Sequence, residues 1–199
     1  MKAKQTLPYG YQEIFSLDLQ NGKKAPMFVN MIALSIAVIM FVPMNFFMPL
    51  TRYLFFDMTK GFHFYILRWV VFILASLSYI ILHELVHGMT MKYFGCQKVK
   101  YGFIGLYAYA GSEDFFDKKS YIVIALAPVV LWGIVLLIIN LLVSDEWIWI
   151  VYLIQITNIS GAAGDFYVTA KFLKMPEDIL VKDRGVSMTV YAPKQQFFC

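Results

Sequence analysis

The chain has 199 residues, of which 60% are hydrophobic and 15% are charged, and its formal net charge is +4 at pH 7. A soluble domain is about half apolar and about a quarter charged, so this composition excludes an ordinary soluble protein. The basic residues are spread along the chain rather than gathered in one patch, which argues against a nucleic-acid partner. We therefore expect an integral membrane protein whose main surroundings are the lipid bilayer.

Four apolar stretches predict four transmembrane helices. Each reaches or approaches the roughly 20 residues that a helix needs to cross a bilayer. In chain order they lie at about 27–50, 63–94, 120–143 and 146–172. The third contains Pro128, which we interpret as part of ordinary packing, and the fourth is interrupted by the small residues SGAAGD at 160–165.

The predicted fold class is an all-α membrane protein with a short β-hairpin between the second and third helices. The hairpin is expected at residues 99–111, VKYGFIGLYAYAG, where short alternating stretches lie on either side of Gly105. We predict one integral-membrane domain over residues 1–199. Its three parts are a cytosolic N-terminal segment, a four-helix membrane core and a cytosolic tail, at 1–26, 27–172 and 173–199. Within the tail, only residues 187–192 resemble a strand.

The distribution of lysine and arginine predicts the orientation. These residues are concentrated before the first apolar stretch, between the second and third, and after the fourth, whereas the other two loops carry few. Loops rich in lysine and arginine stay in the cytosol. We therefore expect a multi-pass protein of the cell membrane with both termini cytosolic.

The motif His83-Glu84-Leu85-Val86-His87 lies near the end of the second apolar stretch. On a helix, positions i and i+4 share one face, so His83 and His87 can both bind one Zn²⁺. Glu84 lies about 100° around the helix, where as a general base it can take a proton from the water that zinc activates. Ionisable groups at membrane depth are costly, and a metal ion would compensate for them. The alternative is a pair of buried histidines hydrogen-bonded to neighbours, with Glu84 paired to a lysine.

A catalytic zinc needs a third protein ligand and an open position. Asp165 is the carboxylate that lies deep within another span, and the alternatives lie in a loop or the tail: Glu113, Asp114, Asp117, Glu177 and Asp178. Counted from His63 and Trp147, where the two spans start, His83 and Asp165 lie about 30 and about 27 Å along their helices. The two groups therefore reach the same level near the cytosolic boundary, which favours Asp165 as a ligand. The alternative is a capping or helix-breaking aspartate after Gly164.

Two segments resemble a known class of proteases. HELVHG at 83–88 and NISGAAGD at 158–165 resemble motifs of the site-2-type intramembrane zinc metalloproteases. The whole chain also resembles a family of small bacterial membrane proteins grouped as zincin peptidases of unknown function. The resemblance implies that Asp165 is a zinc ligand and that Asn158 lies near the catalytic centre.

The resemblance has one departure and one further implication. The site-2 class usually has prolines before the aspartate and a glycine after it, whereas Gly164 and Phe166 flank Asp165 here. The class also has a membrane-associated β-loop that can hold substrate as an added strand, which implies this role for residues 99–111. The alternative is a hairpin at the rim that only shields the site.

Together these observations predict a membrane-embedded zinc endopeptidase in which His83, His87 and Asp165 bind Zn²⁺ and Glu84 is the general base. Its substrate would be a membrane-embedded or membrane-proximal protein or peptide, cleaved near the cytosolic face. The first alternative is a metal-binding membrane protein without protease activity, such as a sensor or an accessory protein, which needs the histidines but not Glu84. The second is an inactive scaffold, which needs no zinc.

Overall fold

The structure, a computed structural model, describes residues 3–18, 24–50, 58–104, 107–185 and 187–194. Its helices are α1 (Lys24–Phe47), α2 (Phe62–Tyr93), α3 (Lys118–Leu142), α4 (Asp145–Gly161) and α5 (Ala163–Leu173). Helices α4 and α5 are separated only at Ala162 and together form one long apolar segment. Within the described residues, four helical segments are long and apolar enough to cross a membrane: Ala25–Phe47, Phe62–Tyr93, Lys118–Leu142 and Asp145–Leu173. The protein is therefore mostly helical and has the character of a membrane protein.

The helices are apolar on their exposed faces as well as on their packed faces. Large exposed side chains include Leu34, Ile39, Ile73, Leu77, Ile134 and Leu137. A helix that is hydrophobic all round is buried in a large protein or in a membrane. Because these side chains are exposed in the isolated chain, a lipid environment accounts for the pattern better than water does.

The prediction of an all-α class with a single hairpin is incomplete, because strands also form elsewhere in the described chain. They are β1 (Tyr11–Asp18), β2 (Val99–Ile104), β3 (Tyr107–Ser112), β4 (Phe115–Asp117), β5 (Leu180–Asp183) and β6 (Ser187–Pro193). Strands β2 and β3 pair antiparallel, from Val99 opposite Ser112 to Ile104 opposite Tyr107, and residues 105 and 106 lie outside the described residues. The other four form an antiparallel sheet in the order β1-β6-β5-β4.

The four-stranded sheet joins the two ends of the chain. Strand β1 pairs with β6 from Tyr11 opposite Pro193 to Asp18 opposite Ser187. In β6 every second residue is buried, with Met188, Val190 and Ala192 on the inner face. This period of two is the strand signal that the tail sequence carries. One partner of β6, the strand β5, lies just before it in the sequence, whereas the other, β1, lies near the N-terminus. Local patterns therefore could not predict the whole sheet.

The chain divides into two compact units. Unit 1 contains Met1–Val29, Glu84–Pro128 and Gly164–Cys199, and unit 2 contains Asn30–His83 and Val129–Ala163. The core of unit 1 combines helical residues with strand residues and includes Phe116, Ile124, Phe172, Val181 and Val190. The core of unit 2 is helical and includes Tyr79, Leu136, Trp149, Ile150 and Ile154. Three boundaries fall inside α1, α2 and α3, and the fourth falls after the first residue of α5, so each of these helices contributes to both units.

Glu113 connects the segment after β3 to β5 of the tail. Its carboxylate accepts hydrogen bonds from Lys182 at 2.8 Å, Arg184 Nε at 3.2 Å and Lys100 at 3.4 Å. The Lys182 hydrogen bond, supported by the other two cations, lowers the pKa of Glu113 to about 2. An unfolded glutamate titrates at about 4.3, so these pairs stabilise the fold above that pH and lose their effect as the pH falls toward about 2.

We therefore expect Glu113→Gln to lower the unfolding temperature at about pH 6, and the difference from the unsubstituted protein to vanish by about pH 2. The effect should be small and weakened by salt, because the Glu113 side chain is 49% exposed. Thermal unfolding of the detergent-solubilised protein across this pH range measures it. Glu13→Gln, at an exposed position of β1, is the matched control. A difference that stays constant with pH would contradict the assignment.

Candidate metal centre

Helix α2 carries the two histidines and the glutamate on one uninterrupted stretch. The helix runs without a break from Phe62 to Tyr93, so His83 and His87 lie one turn apart on one face. The segment before them is rich in apolar residues and contains neither proline nor glycine from Phe62 to His87. His83, Glu84 and His87 are all partly buried.

Asp165 lies in the first turn of α5, just after the helix break at Ala162. Its Oδ2 is 3.8 Å from Nε2 of His87, and both residues belong to unit 1. The side chains of His87 and Asp165 are 12% and 24% exposed, so the pair is mostly shielded. Among the described residues, His83, His87 and Asp165 each offer one ligand atom, and these atoms lie within 4.8 Å of one another. The position of His83 relative to His87 follows from the continuous helix α2.

The three side chains fit a zinc ion in donor type and in spacing. Two imidazoles and one carboxylate form a donor set that catalytic zinc sites use. With bonds of about 2.0–2.1 Å and tetrahedral angles, neighbouring ligand atoms lie about 3.4 Å apart. The 3.8 Å between His87 and Asp165 is close to this value, so a small side-chain rotation would bring the two atoms to bonding distance. The structure thus shows a possible three-residue metal site.

Each histidine makes a hydrogen bond through Nδ1. His87 Nδ1–H donates to the backbone carbonyl of Ile124 at 2.9 Å, and His83 Nδ1 lies 2.8 Å from the hydroxyl of Tyr79. A neutral imidazole that donates through Nδ1 carries its lone pair on Nε2. Nε2 of His87, the atom that faces Asp165, is therefore the atom that would bind a metal.

Glu84 lies among other charged groups and next to β3. His87, Asp165 and Asp183 act electrostatically on its carboxyl group, and the backbone of Ala110 in β3 interacts with it directly. Strand β2 lies close to the same turn of α2. A Cβ placed on Gly88 would be only 2.0 Å from the hydroxyl oxygen of Tyr101, so the lack of a side chain at Gly88 allows this approach.

Four of the five other acidic residues that the sequence suggested as ligands have side-chain partners elsewhere. Glu113 pairs with Lys182 and Arg184, and Glu177 accepts a hydrogen bond from Lys118 at 2.9 Å. Asp114 accepts one from the Gln97 backbone, and Asp117 accepts from the Ser120 backbone and hydroxyl. Asp165 is the one of these candidates that is grouped with the histidines.

Asn158, which the resemblance to the site-2 class places near the catalytic centre, is fully buried in α4 at 0% exposure. Its Oδ1 accepts a hydrogen bond from Tyr79 at 2.9 Å, and its Nδ2 donates to the carbonyl of Val129 at 3.2 Å. Since Tyr79 also bonds to Nδ1 of His83, Asn158 is two hydrogen bonds away from that imidazole. All four residues belong to unit 2.

Asp183 is a buried carboxyl group near the site that sequence reasoning missed. It lies at the end of β5 and accepts hydrogen bonds from the Tyr121 hydroxyl and from the Gly185 backbone. Burial raises its pKa, whereas these hydrogen bonds and the nearby His87 oppose the rise. The sequence around it, KDRG, indicates only a turn, so no local signal distinguishes this aspartate from a surface residue.

The apolar spanning segments are typical of a membrane protein. The pair of imidazoles and the carboxylate, with Glu84 beside them, form a candidate zinc-peptidase site. The chain belongs to the family described as "Putative zincin peptidase", which matches residues 76–180, just over half of the chain. Family membership indicates a metallopeptidase and implies zinc. The matched region contains His83, Glu84, His87 and Asp165.

A curated relative has no assigned function. The chain is 30% identical over 126 residues to "Uncharacterized 24.7 kDa protein in gap 5'region" of Pyrococcus woesei, a match that covers 58% of this chain and 52% of the relative. The match therefore spans about half the length of that relative. No solved structure matches the chain.

Proposed function

We propose that the protein is a membrane-embedded zinc endopeptidase of the site-2 type. Its substrate would be a membrane-embedded or membrane-proximal segment of another protein, cleaved near the cytosolic face. The observation that carries the proposal is the grouping of His83, His87 and Asp165 directly beside Glu84, within two of the apolar spanning segments. Such groups are costly at membrane depth unless they have a function and partners.

In this proposal His83, His87 and Asp165 hold the metal ion through two nitrogens and one oxygen. Bound zinc supplies Lewis acidity, which polarises a peptide carbonyl and acidifies water. Glu84 accepts a proton from the attacking water while the water oxygen forms a bond to the carbonyl carbon. Glu84 then gives this proton to the amide nitrogen as the C–N bond breaks. The products are a carboxylic acid and an amine, and transfer of the remaining proton between them gives a carboxylate and an ammonium group. Glu84 suits this role because it follows His83 directly and lies near His87 and Asp165.

Strands β2 and β3 are proposed to hold the substrate. A transmembrane helix hides its peptide bonds within its own hydrogen bonds, so it must unwind before cleavage. Pairing the unwound segment with a strand edge would replace the lost hydrogen bonds. Two contacts support this location, because Tyr101 of β2 lies against Gly88 and the Ala110 backbone of β3 interacts with Glu84.

The proposed location is the cell membrane, with both termini in the cytosol. Exposed basic residues of unit 1 support this orientation: Lys92, Lys98, Lys100, Lys119, Lys171 and Lys174. Unit 1 also contains Glu84, His87 and Asp165. Since loops rich in lysine stay in the cytosol, the proposed site faces that side.

Removal and return of metal tests the proposal. The purified detergent-solubilised protein should contain about one zinc ion per chain and cleave members of a quenched fluorescent peptide library built from transmembrane sequences. Chelation should abolish cleavage, and added Zn²⁺ should restore it. The expected loss is complete, because all the Lewis acidity at the site comes from the metal. Zinc bound without any cleavage would favour the sensor or accessory alternative, and a folded protein without zinc would favour the scaffold.

A further inference from the structure

We propose that Tyr79, Asn158 and Pro128 are positioning residues that hold both imidazoles with the proton on Nδ1 and the lone pair on Nε2. The inference rests on the proposed zinc site and adds to it a set of residues that touch neither metal nor substrate. It is based on two buried series of hydrogen bonds, one ending at each histidine. In each series, the groups that can only accept determine which atom must donate.

The first series of hydrogen bonds begins at the carbonyl of Val129, which can only accept. Asn158 must therefore present its Nδ2 to this carbonyl, which it does at 3.2 Å, and its Oδ1 points the other way, toward Tyr79. Oδ1 also can only accept, so the single hydroxyl hydrogen of Tyr79 is used there. The Tyr79 oxygen must then accept from Nδ1–H of His83, 2.8 Å away. A backbone carbonyl in α3 thereby determines which nitrogen of His83 carries the proton.

The second series of hydrogen bonds is shorter, and it depends on the absence of a backbone N–H at Pro128. The carbonyl of Ile124 accepts Nδ1–H of His87 at 2.9 Å. In a regular helix this carbonyl would accept the backbone N–H of the residue four positions later, which here is Pro128. Proline has no N–H, and its ring also pushes the carbonyl four residues earlier out of line. Pro128 is fully buried, and its effect is to direct the Ile124 carbonyl to His87. The interpretation of Pro128 as ordinary packing therefore omitted its main consequence.

The two series together assign a role to Asn158. Its oxygen and one of its N–H groups are used inside unit 2, so it acts on His83 through Tyr79 rather than on the substrate. Partners of this kind fix the protonated nitrogen and the ring orientation of a metal-binding histidine, and their removal typically costs about 10–100-fold in metal affinity. If the Tyr79 hydroxyl and the Asn158 amide had no influence on metal binding, their role would be limited to packing.

The first test compares two tyrosine-to-phenylalanine variants of the full chain in detergent. Tyr79→Phe keeps the ring but removes the acceptor of His83, so its Zn²⁺ affinity, measured by competition with a fluorescent chelator, should fall about 10–100-fold. Tyr152→Phe is the matched control, because its hydroxyl donates to the Met40 carbonyl at 2.9 Å, outside this series of hydrogen bonds. Its Zn²⁺ affinity should not change. With Co²⁺ as the probe, the visible absorption bands should shift in Tyr79→Phe and not in Tyr152→Phe.

A double substitution tests whether Asn158 acts through Tyr79. Asn158→Leu, of similar size, should weaken Zn²⁺ binding in the unsubstituted protein, and add little to the loss when Tyr79 is already Phe. Equal, additive losses in both backgrounds would mean that Asn158 acts by another route and would overturn that part of the inference.

Pro128→Ala distinguishes a positioning role from a purely structural one, because the two roles predict different effects on stability and on Zn²⁺ affinity. Restoring a helical N–H should leave thermal stability unchanged or raise it, because proline disfavours a helix interior, while Zn²⁺ affinity falls several-fold as the Ile124 carbonyl returns to the helix. Pro43→Ala, at the proline inside α1, is the control and should not affect Zn²⁺ binding.

If Tyr79→Phe and Pro128→Ala both bind Zn²⁺ as the unsubstituted protein does, the inference is overturned and the zinc site stands. A folded, unsubstituted protein that binds no Zn²⁺ would instead overturn the proposed function.

Discussion

Replacing Glu84 with glutamine is expected to abolish peptide cleavage and leave zinc bound. Glutamine has the same size and shape as glutamate but cannot take up the proton of the attacking water. General bases contribute about 10²–10⁴-fold to rates, so the rate of cleavage should fall by a factor in this range. Zinc should remain because the proposed ligands are His83, His87 and Asp165.

The measurement is zinc content together with the initial rate of cleavage for the same preparation of Glu84→Gln. Glu113→Gln is a suitable control, since it makes the same chemical change at a glutamate that pairs with Lys182 and Arg184. It should keep both zinc and activity at neutral pH. Retained cleavage in Glu84→Gln would remove Glu84 as the base. Loss of zinc in this variant would instead mean that Glu84 contributes to metal binding.

Replacing Asp165 with alanine is expected to release zinc and, with it, activity. This change removes one of three proposed ligands, so the fall in Zn²⁺ affinity should exceed the 10–100-fold, or about 1.4–2.7 kcal/mol, that is typical of losing only a partner of a ligand. The fold should survive. In the first turn of α5 the carboxylate contributes about 0.3–1 kcal/mol through the helix dipole, which is a small part of total stability.

Metal content of Asp165→Ala beside Asp114→Ala makes this test specific. Asp114 is one of the acidic residues that the sequence left open as a ligand, and in the structure it accepts a hydrogen bond from the Gln97 backbone. Asp114→Ala should keep its zinc. A full complement of zinc in Asp165→Ala would move the third ligand elsewhere, and Asp183, which acts electrostatically on the same groups, would be the next candidate.

Part of the candidate site follows from arithmetic on the sequence. Residues four apart share a helix face, which places His83 above His87 with Glu84 to one side. A constant rise of 1.5 Å per residue predicts that Asp165 reaches the same depth in a later span. The structure places one ligand atom of each of these three residues, His83, His87 and Asp165, within 4.8 Å of the others. The sequence can make such predictions because a helix in an apolar span has a regular geometry that no distant contact needs to define.

Other parts depend on contacts between distant residues. Asp183 lies near Glu84 and His87 in the folded chain, and its strand β5 pairs with β4, which is more than 60 residues earlier in the sequence. Tyr79 lies one turn before His83, a spacing that could have suggested a partner, but its other partner is Asn158, far along the sequence. No local pattern contains these pairings.

The sequence by itself determined the four apolar helices, the spacing of the histidine pair and the presence of Glu84 beside it, because each depends on composition or on a helical repeat within one segment. Only the tertiary structure decided that the tail forms a sheet with the N-terminal segment, and that Tyr79 and the Ile124 carbonyl hold the two imidazoles. The physical reason is that hydrogen-bond partners and sheet neighbours are chosen by proximity in space. That proximity exists only after the chain has folded.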